Sequence, residues 1–188
     1  MPSLRDIQSS AESGDIGSQC ELAMLYAIGK EVHEDNREAA YWWSLAAEQG
    51  HAPSQFNLGN LYYRGKGVEL DYARAAHWYR KAAEHAHEGF MGRMWEYCTV
   101  EESKTGIEAA IYSAFVNLGR CYANGHGVAK DDVEAYAYYN LGGIRSGPIG
   151  DIGRKNIAML ESKMTRAEIS SSQTRTRELK AYYCKISF

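Results

Sequence analysis

The sequence predicts an all-α chain: a right-handed α–α superhelical solenoid of stacked antiparallel helix pairs, closed by a C-terminal capping helix segment. Three observations predict it. The sequence matches itself without gaps at offsets of 36 and 60 residues. Each copy reads as a helical pattern, a glycine turn and a second helical pattern. After Gly147 the repetition stops and a largely polar sequence follows. Self-similarity at a period of this size marks a repeat array.

At the 36-residue offset Gln19, Leu22, Leu25, Tyr26 and Gly29 fall on Gln55, Leu58, Leu61, Tyr62 and Gly65. Asp35, Ala39, Ala40, Trp42, Ala46 and Ala47 fall on Asp71, Ala75, Ala76, Trp78, Ala82 and Ala83. At the 60-residue offset Leu58, Gly59, Tyr62, Gly65, Gly67 and Val68 fall on Leu118, Gly119, Tyr122, Gly125, Gly127 and Val128. The chain then divides as one solenoid domain over 1–188. Its parts are repeat 1 at 14–50, repeat 2 at 51–86, a degenerate partial repeat at 87–110, a final repeat at 111–147 and capping helices at 148–188.

Repeat 2 shows the reasons most clearly. From His51 to Arg64 the apolar residues Phe56, Leu58, Leu61 and Tyr62 have helical spacing, as do Ala75, Ala76, Trp78, Tyr79, Ala82 and Ala83 from Tyr72 to Glu84. Gly65 stands where a left-handed C-cap is wanted, and glycine adopts positive φ without penalty. Asp71 stands where a carboxylate opens the second helix. Gly59 and the alanines are small because two helices approach closely there, with Tyr62 and Trp78 expected to fill the neighbouring space. A single pair of helices has two apolar faces, so neighbouring copies must cover one another.

The regularity breaks in two places. "HEGFMGRMWEYC" aligns as a first helix, with Met94 under Leu58 and Cys98 under Tyr62, but no glycine turn follows. It reads either as a decayed repeat whose second helix is shortened and fused to the next copy, or as an altered segment at Thr99 to Gly106 that projects to bind. Beyond Gly147, Pro148 suits the first turn of a helix. "TRAE" at Thr165 to Glu168 reads as a capping box opening a polar last helix.

Composition narrows the function. A formal charge of −3 without blocks of like charge argues against nucleic acid as a partner. No apolar run reaches the roughly 20 residues of a membrane span, so no membrane partner is expected. "MPSLRDIQSSAESGD" lacks the apolar core of a signal peptide. That favours the cytoplasm, with a periplasmic or secreted location following if a preceding signal had been removed. Cys20, Cys98, Cys121 and Cys184 have no metal-ligand spacing, and Cys20 and Cys121 fall on helical positions that suit a small hydrophobe.

The search for chemistry is negative. His85 and His87 lack a third metal ligand, and His33, His51 and His77 have no acidic or thiol companions at suggestive spacing. His126 takes the turn position of Lys66 and is expected to be exposed. "GNLYYRGK" has its glycines one residue too far apart for a phosphate loop. No Ser-x-x-Lys or G-x-S-x-G occurs. Acid pairs such as Glu101-Glu102 and Asp131-Asp132 suit turns and caps better than catalysis. No enzyme activity, metal or cofactor is expected. The 14 tyrosines and 4 tryptophans fall largely on packing positions and lack the basic neighbours of a base-stacking platform.

The pattern Leu58, Gly59, Tyr62, Gly65, Gly67, Val68, Asp71, Ala75, Trp78, Tyr79, Ala82, Ala83 resembles the Sel-one-like repeat, a bacterial-type relative of the tetratricopeptide repeat. The resemblance runs from about Gly14 to Gly147. The final copy has Gly142 and Gly143 in place of two alanines. The first copy departs more, with Ala23 for the helix glycine and Glu31 for the second turn glycine. The tail resembles that of bacterial members through Met164, Thr165 and Ile169.

The resemblance implies that first helices line a concave face. Helical geometry turns Asn57, Asn60, Tyr63 and Arg64 away from Leu58 and Tyr62. The same places hold Arg93 and Glu96 in the degenerate copy, Asn117, Arg120 and Asn124 in the final copy, and Glu21, Met24 and Ile28 in the first. Related repeats hold peptides with asparagine and basic side chains there, so Asn57, Asn60, Tyr63, Arg64, Arg93, Glu96, Asn117, Arg120 and Asn124 are the candidate partner-binding positions. Asn57, Arg93 and Asn117 are expected to form one row, and Asn60, Glu96 and Arg120 another. Asparagine can grip a backbone and arginine can fork onto a carboxylate. The family implies a protein–protein interaction module, an adaptor or regulator that binds a peptide or folded partner. Two other readings are an immunity-type inhibitor capping a bacterial toxin enzyme and a scaffold self-associating through its ends. A β-lactam-binding or hydrolysing enzyme is disfavoured by the missing Ser-x-x-Lys.

Overall fold

A computed structural model of the chain describes residues 3–84, 101–144 and 146–184. Among them every regular element is an α-helix: α1 Leu4–Glu12, α2 Ile16–Ile28, α3 Asn36–Glu48, α4 Ala52–Arg64, α5 Tyr72–Glu84, α6 Glu101–Asn124, α7 Asp132–Gly143, α8 Pro148–Glu161 and α9 Arg166–Cys184. Helices α2/α3, α4/α5 and α6/α7 are the three helix–turn–helix pairs, each packed on its neighbours.

The turn is built the same way three times. Gly29, Gly65 and Gly125 are left-handed, at φ of 66°, 64° and 71°. The N–H groups of Lys30, Lys66 and His126 then bond back to Leu25, Leu61 and Cys121. Asp35, Asp71 and Asp131 donate their N–H groups to the Tyr26, Tyr62 and Tyr122 carbonyls, at 2.9, 3.0 and 3.0 Å. Their carboxylates accept from the first-turn N–H groups of the second helices, such as Glu38, Arg74 and Glu134. Orphan groups at both helix ends are satisfied within about ten residues.

Glu31, in place of the second turn glycine, takes the same left-handed conformation at φ 65°. The reason lies in the stacking. A Cβ on Gly67 would stand 2.1 Å from the Asn36 carbonyl oxygen, and one on Gly127 would stand 2.2 Å from the Tyr72 carbonyl carbon. These glycines carry one repeat against the second helix of the repeat before it. Glu31 is exposed, so only the φ penalty remains there, about 1–2 kcal/mol.

Asn36 and Tyr72 are equivalent positions, so the final repeat sits on repeat 2 as repeat 2 sits on repeat 1. Helix α6 packs directly on α4 and α5. The expected boundary between the partial and final repeats at 110/111 falls inside the continuous 24-residue α6. The alignment of Met94 and Cys98 as first-helix residues lies outside the described residues.

Within the second and final pairs, the helix glycine meets the tyrosine that follows the expected tryptophan position. A Cβ at Gly59 would stand 2.8 Å from Tyr79 Cδ1, and one at Gly119 would stand 2.7 Å from Tyr139 Cδ1. Tyr79 is fully buried and Trp78 only half-buried. Tyr62 and Trp78 fill the neighbouring space as expected, packed against the cluster that holds Leu58 and Leu61, while Tyr79 takes the place directly against Gly59. Between repeats a buried glutamine clamps the preceding helix: Gln19 Nε2 donates to the Ala11 carbonyl at 3.1 Å and Gln55 Nε2 to that of Ala47 at 3.0 Å.

Both ends are covered. Helix α1 ends in register with α3, its Ala11 and Glu12 falling on Ala47 and Glu48 at the 36-residue offset; it is opened by a Ser3/Asp6 capping box and buries Ile7 and Ala11 against Leu22 and Leu25. At the other end Pro148 stands in the first turn of α8. Gly153 brings α8 onto α7, where its Cβ would be 2.9 Å from Gly143 Cα. The Thr165/Glu168 capping box is formed, with the Thr165 N–H donating to Glu168 at 2.7 Å. Helix α9 returns across α7, burying Leu179 and Tyr183 in the central core and pairing Arg175 with Glu134.

Candidate functional site

The first helices α2, α4 and α6 share one face of the stack. Its two halves differ because the residues at equivalent positions differ. In repeats 2 and 3 they are polar. In repeat 1 two of them, Met24 and Ile28, are apolar.

The polar half closes on itself. Asn60 Oδ1 accepts from the Tyr79 hydroxyl at 2.9 Å and from Asn117 Nδ2 at 3.2 Å. Asn117 Oδ1 accepts from Arg120 Nη2 at 2.9 Å. The Arg120 guanidinium lies 4.4 Å from the centre of the Tyr63 ring, close enough for cation–π attraction. Tyr63 Oη shares a hydrogen bond of 2.9 Å with His126 Nδ1, and the His126 ring stacks on Tyr72 at 4.3 Å. The expectation of an exposed His126 is therefore corrected: the direct docking of the final repeat on repeat 2 brings its turn onto Tyr72.

Asn60, Tyr63, Asn117 and Arg120 are thus brought together. They form a junction between repeats, in which Asn60 meets Asn117 and not Arg120, its counterpart in the expected row. The two first helices are offset along their axes, so the rows are staggered. Asn57 is half-buried at the edge of this group. Arg64 is exposed, and Asn124 is exposed with its amide donating to the Arg120 carbonyl. Arg93 and Glu96 lie outside the described residues, as do His85, His87 and Cys98.

Burial sets the electrostatics. It pushes the Tyr63 and Tyr79 hydroxyls up and the Tyr139 hydroxyl up to about 12, with the Arg120 charge pulling all three the other way. Burial likewise pushes the Cys121 thiol up to about 11. These groups stay neutral at ordinary pH, and a thiol held protonated is a poor nucleophile. Arg120 is the fixed charge of the cluster. It has no carboxylate partner among the described residues, and its Nε has no hydrogen-bond partner. Among the described residues no three His, Cys, Asp or Glu side chains converge on a metal site.

The apolar half is open. A groove of about 680 Å³ runs between α2, α4 and the N-terminal half of α6, lined among others by Met24, Ile28, Phe56, Asn57, Ile107 and Ser113. Met24 is 49% exposed and Ile28 60% exposed. Met24 and Ile28 are in register with Asn60 and Arg64, whereas the candidate positions expected from the sequence are those of the more polar copies. The signal available was that register: apolar side chains at places where the other copies are polar.

No helix among the described residues is long and apolar enough to cross a membrane. No curated protein matches the chain. The fold has solved counterparts. The crystal structure of a Sel1 repeat protein from Oxalobacter formigenes is 30% identical over 82% of this chain and 96% of that one, with a TM-score of 0.60. A protective antigen present in uropathogenic Escherichia coli strains, displaying an SLR fold, is 26% identical with a TM-score of 0.55. That match covers 97% of this chain but 41% of the antigen's. The family model for the Sel1 repeat matches residues 16–51, 52–87 and 116–143, more than half of the sequence. These are the three helix pairs whose turns, caps and stacking glycines recur above, and the chain belongs to the Sel1 repeat family.

Proposed function

We propose that this chain is a protein-interaction module that takes a peptide segment of its partner into the groove between α2, α4 and α6. Sel1 repeats are generally protein–protein interaction modules. The observation that carries the reading is the exposure of Met24 and Ile28, side by side on α2 and facing Phe56 and Ile107 across the groove. Covering apolar surface contributes roughly 25 cal/mol per Å². The Asn57 amide beside them can donate to and accept from a peptide backbone without reading its sequence.

The remaining candidate residues divide by position. Asn60, Tyr63 and Asn117 hold the junction rigid, which limits the ordering cost of binding. Arg64 and Asn124 are exposed and extend the contact surface. Arg120 supplies positive charge to an acidic group arriving on that face. An adaptor or regulator role rests on this binding alone and needs no chemistry from the chain.

The test is selection of binders from a displayed random-peptide library, followed by solution affinities. Binding should be lost with Ile28→Asp and weakened with Asn57→Ala, and should persist with Glu48→Ala on an exposed second-helix position. Peptides that bind the Ile28→Asp protein as tightly as wild type would remove the groove from the function.

A further inference from the structure

The groove carries a charge at each end of its apolar stretch. Glu21, Met24 and Ile28 follow one another on the exposed side of α2, and Lys30 stands just past the Gly29 cap. All four border the groove. Neither Glu21 nor Lys30 pairs with an opposite charge among the described residues. Glu21 and Ile28 are seven positions apart, about 10 Å at the helical rise, and Lys30 follows the left-handed Gly29 cap, so the two charges lie at opposite ends of the apolar pair.

An extended peptide advances about 3.3 Å per residue and sends alternate side chains to one face. Four residues then span about 13 Å, enough to reach past the apolar pair at both ends, with the first, third and fifth side chains facing the same way. We propose, on the basis of the groove reading above, that the occupant is an extended segment with opposite charges four residues apart and one bulky apolar residue midway. The apolar side chain sits against Met24 and Ile28. The basic residue meets Glu21 and the acidic residue meets Lys30, so the pairing fixes the direction in which the segment lies along α2. Like-charged ends would place one side chain against its own sign.

The experiment uses three fluorescein-labelled 12-residue peptides at low salt, read by polarisation. Each has Gly/Ser flanks around a core of Lys-Ser-Phe-Ser-Glu, Lys-Ser-Phe-Ser-Lys or Glu-Ser-Phe-Ser-Glu. The wild-type chain should prefer the mixed-charge peptide by about 1.5- to 5-fold per charge pair. Glu21→Lys should move the preference to the doubly acidic peptide, and Lys30→Glu to the doubly basic one. Both sites are exposed, and unchanged circular dichroism confirms that the variants fold. Equal affinity for all three peptides, lost with Ile28→Asp, would overturn the charge rule and leave the groove standing. Binding insensitive to Ile28→Asp would overturn both. Preferences that fail to switch in the two reversal variants would also overturn the inference.

Discussion

The backbones of Gly127 and Tyr72 approach so closely that a Cβ at position 127 would stand 2.2 Å from the Tyr72 carbonyl carbon. The obstacle is backbone, which cannot rotate away as a side chain can. Gly125, two residues earlier, is also left-handed, but its Cβ would meet nothing nearer than 3.5 Å. Gly127→Ala should therefore cost about 2–4 kcal/mol and Gly125→Ala about 1–2 kcal/mol, from strain with and without a clash. Urea unfolding of both variants checks the difference, and equal losses would mean that the junction between repeats yields freely.

Position 31 reverses the argument. Glu31 holds φ 65° without a neighbouring repeat against it. Glu31→Gly removes the strain and adds some chain entropy to the unfolded state, for a net gain of roughly 0.5–1 kcal/mol. In a chain of this size that raises Tm by about 1–4 °C. A lower Tm would show that the Glu31 side chain contributes more than its backbone costs.

The Tyr63–His126 hydrogen bond joins α4 to the turn of the final repeat at 2.9 Å. Tyr63→Phe and His126→Ala should each destabilise the chain, and their double-mutant cycle should show a coupling of about 0.5–1.5 kcal/mol. A cycle with additive losses would mean that the two residues act independently.

Alkali should unfold the chain through its buried tyrosines. Burial pushes the Tyr139 hydroxyl up to about 12 in the folded chain, against about 10 for an ordinary tyrosine. Between these values the folded state holds a proton that the unfolded state has released. This contribution is fully present below pH 10 and is lost as pH rises toward 12. Helicity followed by circular dichroism should fall across that window, and Tyr139→Phe should flatten the fall. An identical profile in the variant would place the alkaline transition elsewhere.

Much of the local structure was legible because its causes are local. Gly65 and Asp71 bracket a turn whose hydrogen bonds close within ten residues, and the Thr165/Glu168 box closes within four. The N-terminal helix was legible in principle through Ser3 and Asp6, a capping box outside the repeated pattern. The candidate site was legible only as a register. Periodicity put Asn60 and Asn117 on the same side as Met24 and Ile28, but could not say that the asparagines would meet at 3.2 Å while the apolar pair stayed open.

By itself the sequence determined the helix pairs of the matched repeats, their turns and the family, since each follows from residue type and spacing along one short stretch. Tertiary structure decided which side chains remain accessible. Tyr79 is inside because it lies directly against Gly59, and Trp78 is half outside because it packs beside that contact against the neighbouring cluster. Arg120 faces Tyr63 because α6 lies directly on α4 despite the longer connection between them. Exposure depends on what a neighbouring helix covers, and the offset between two helices is set by where their backbones can touch.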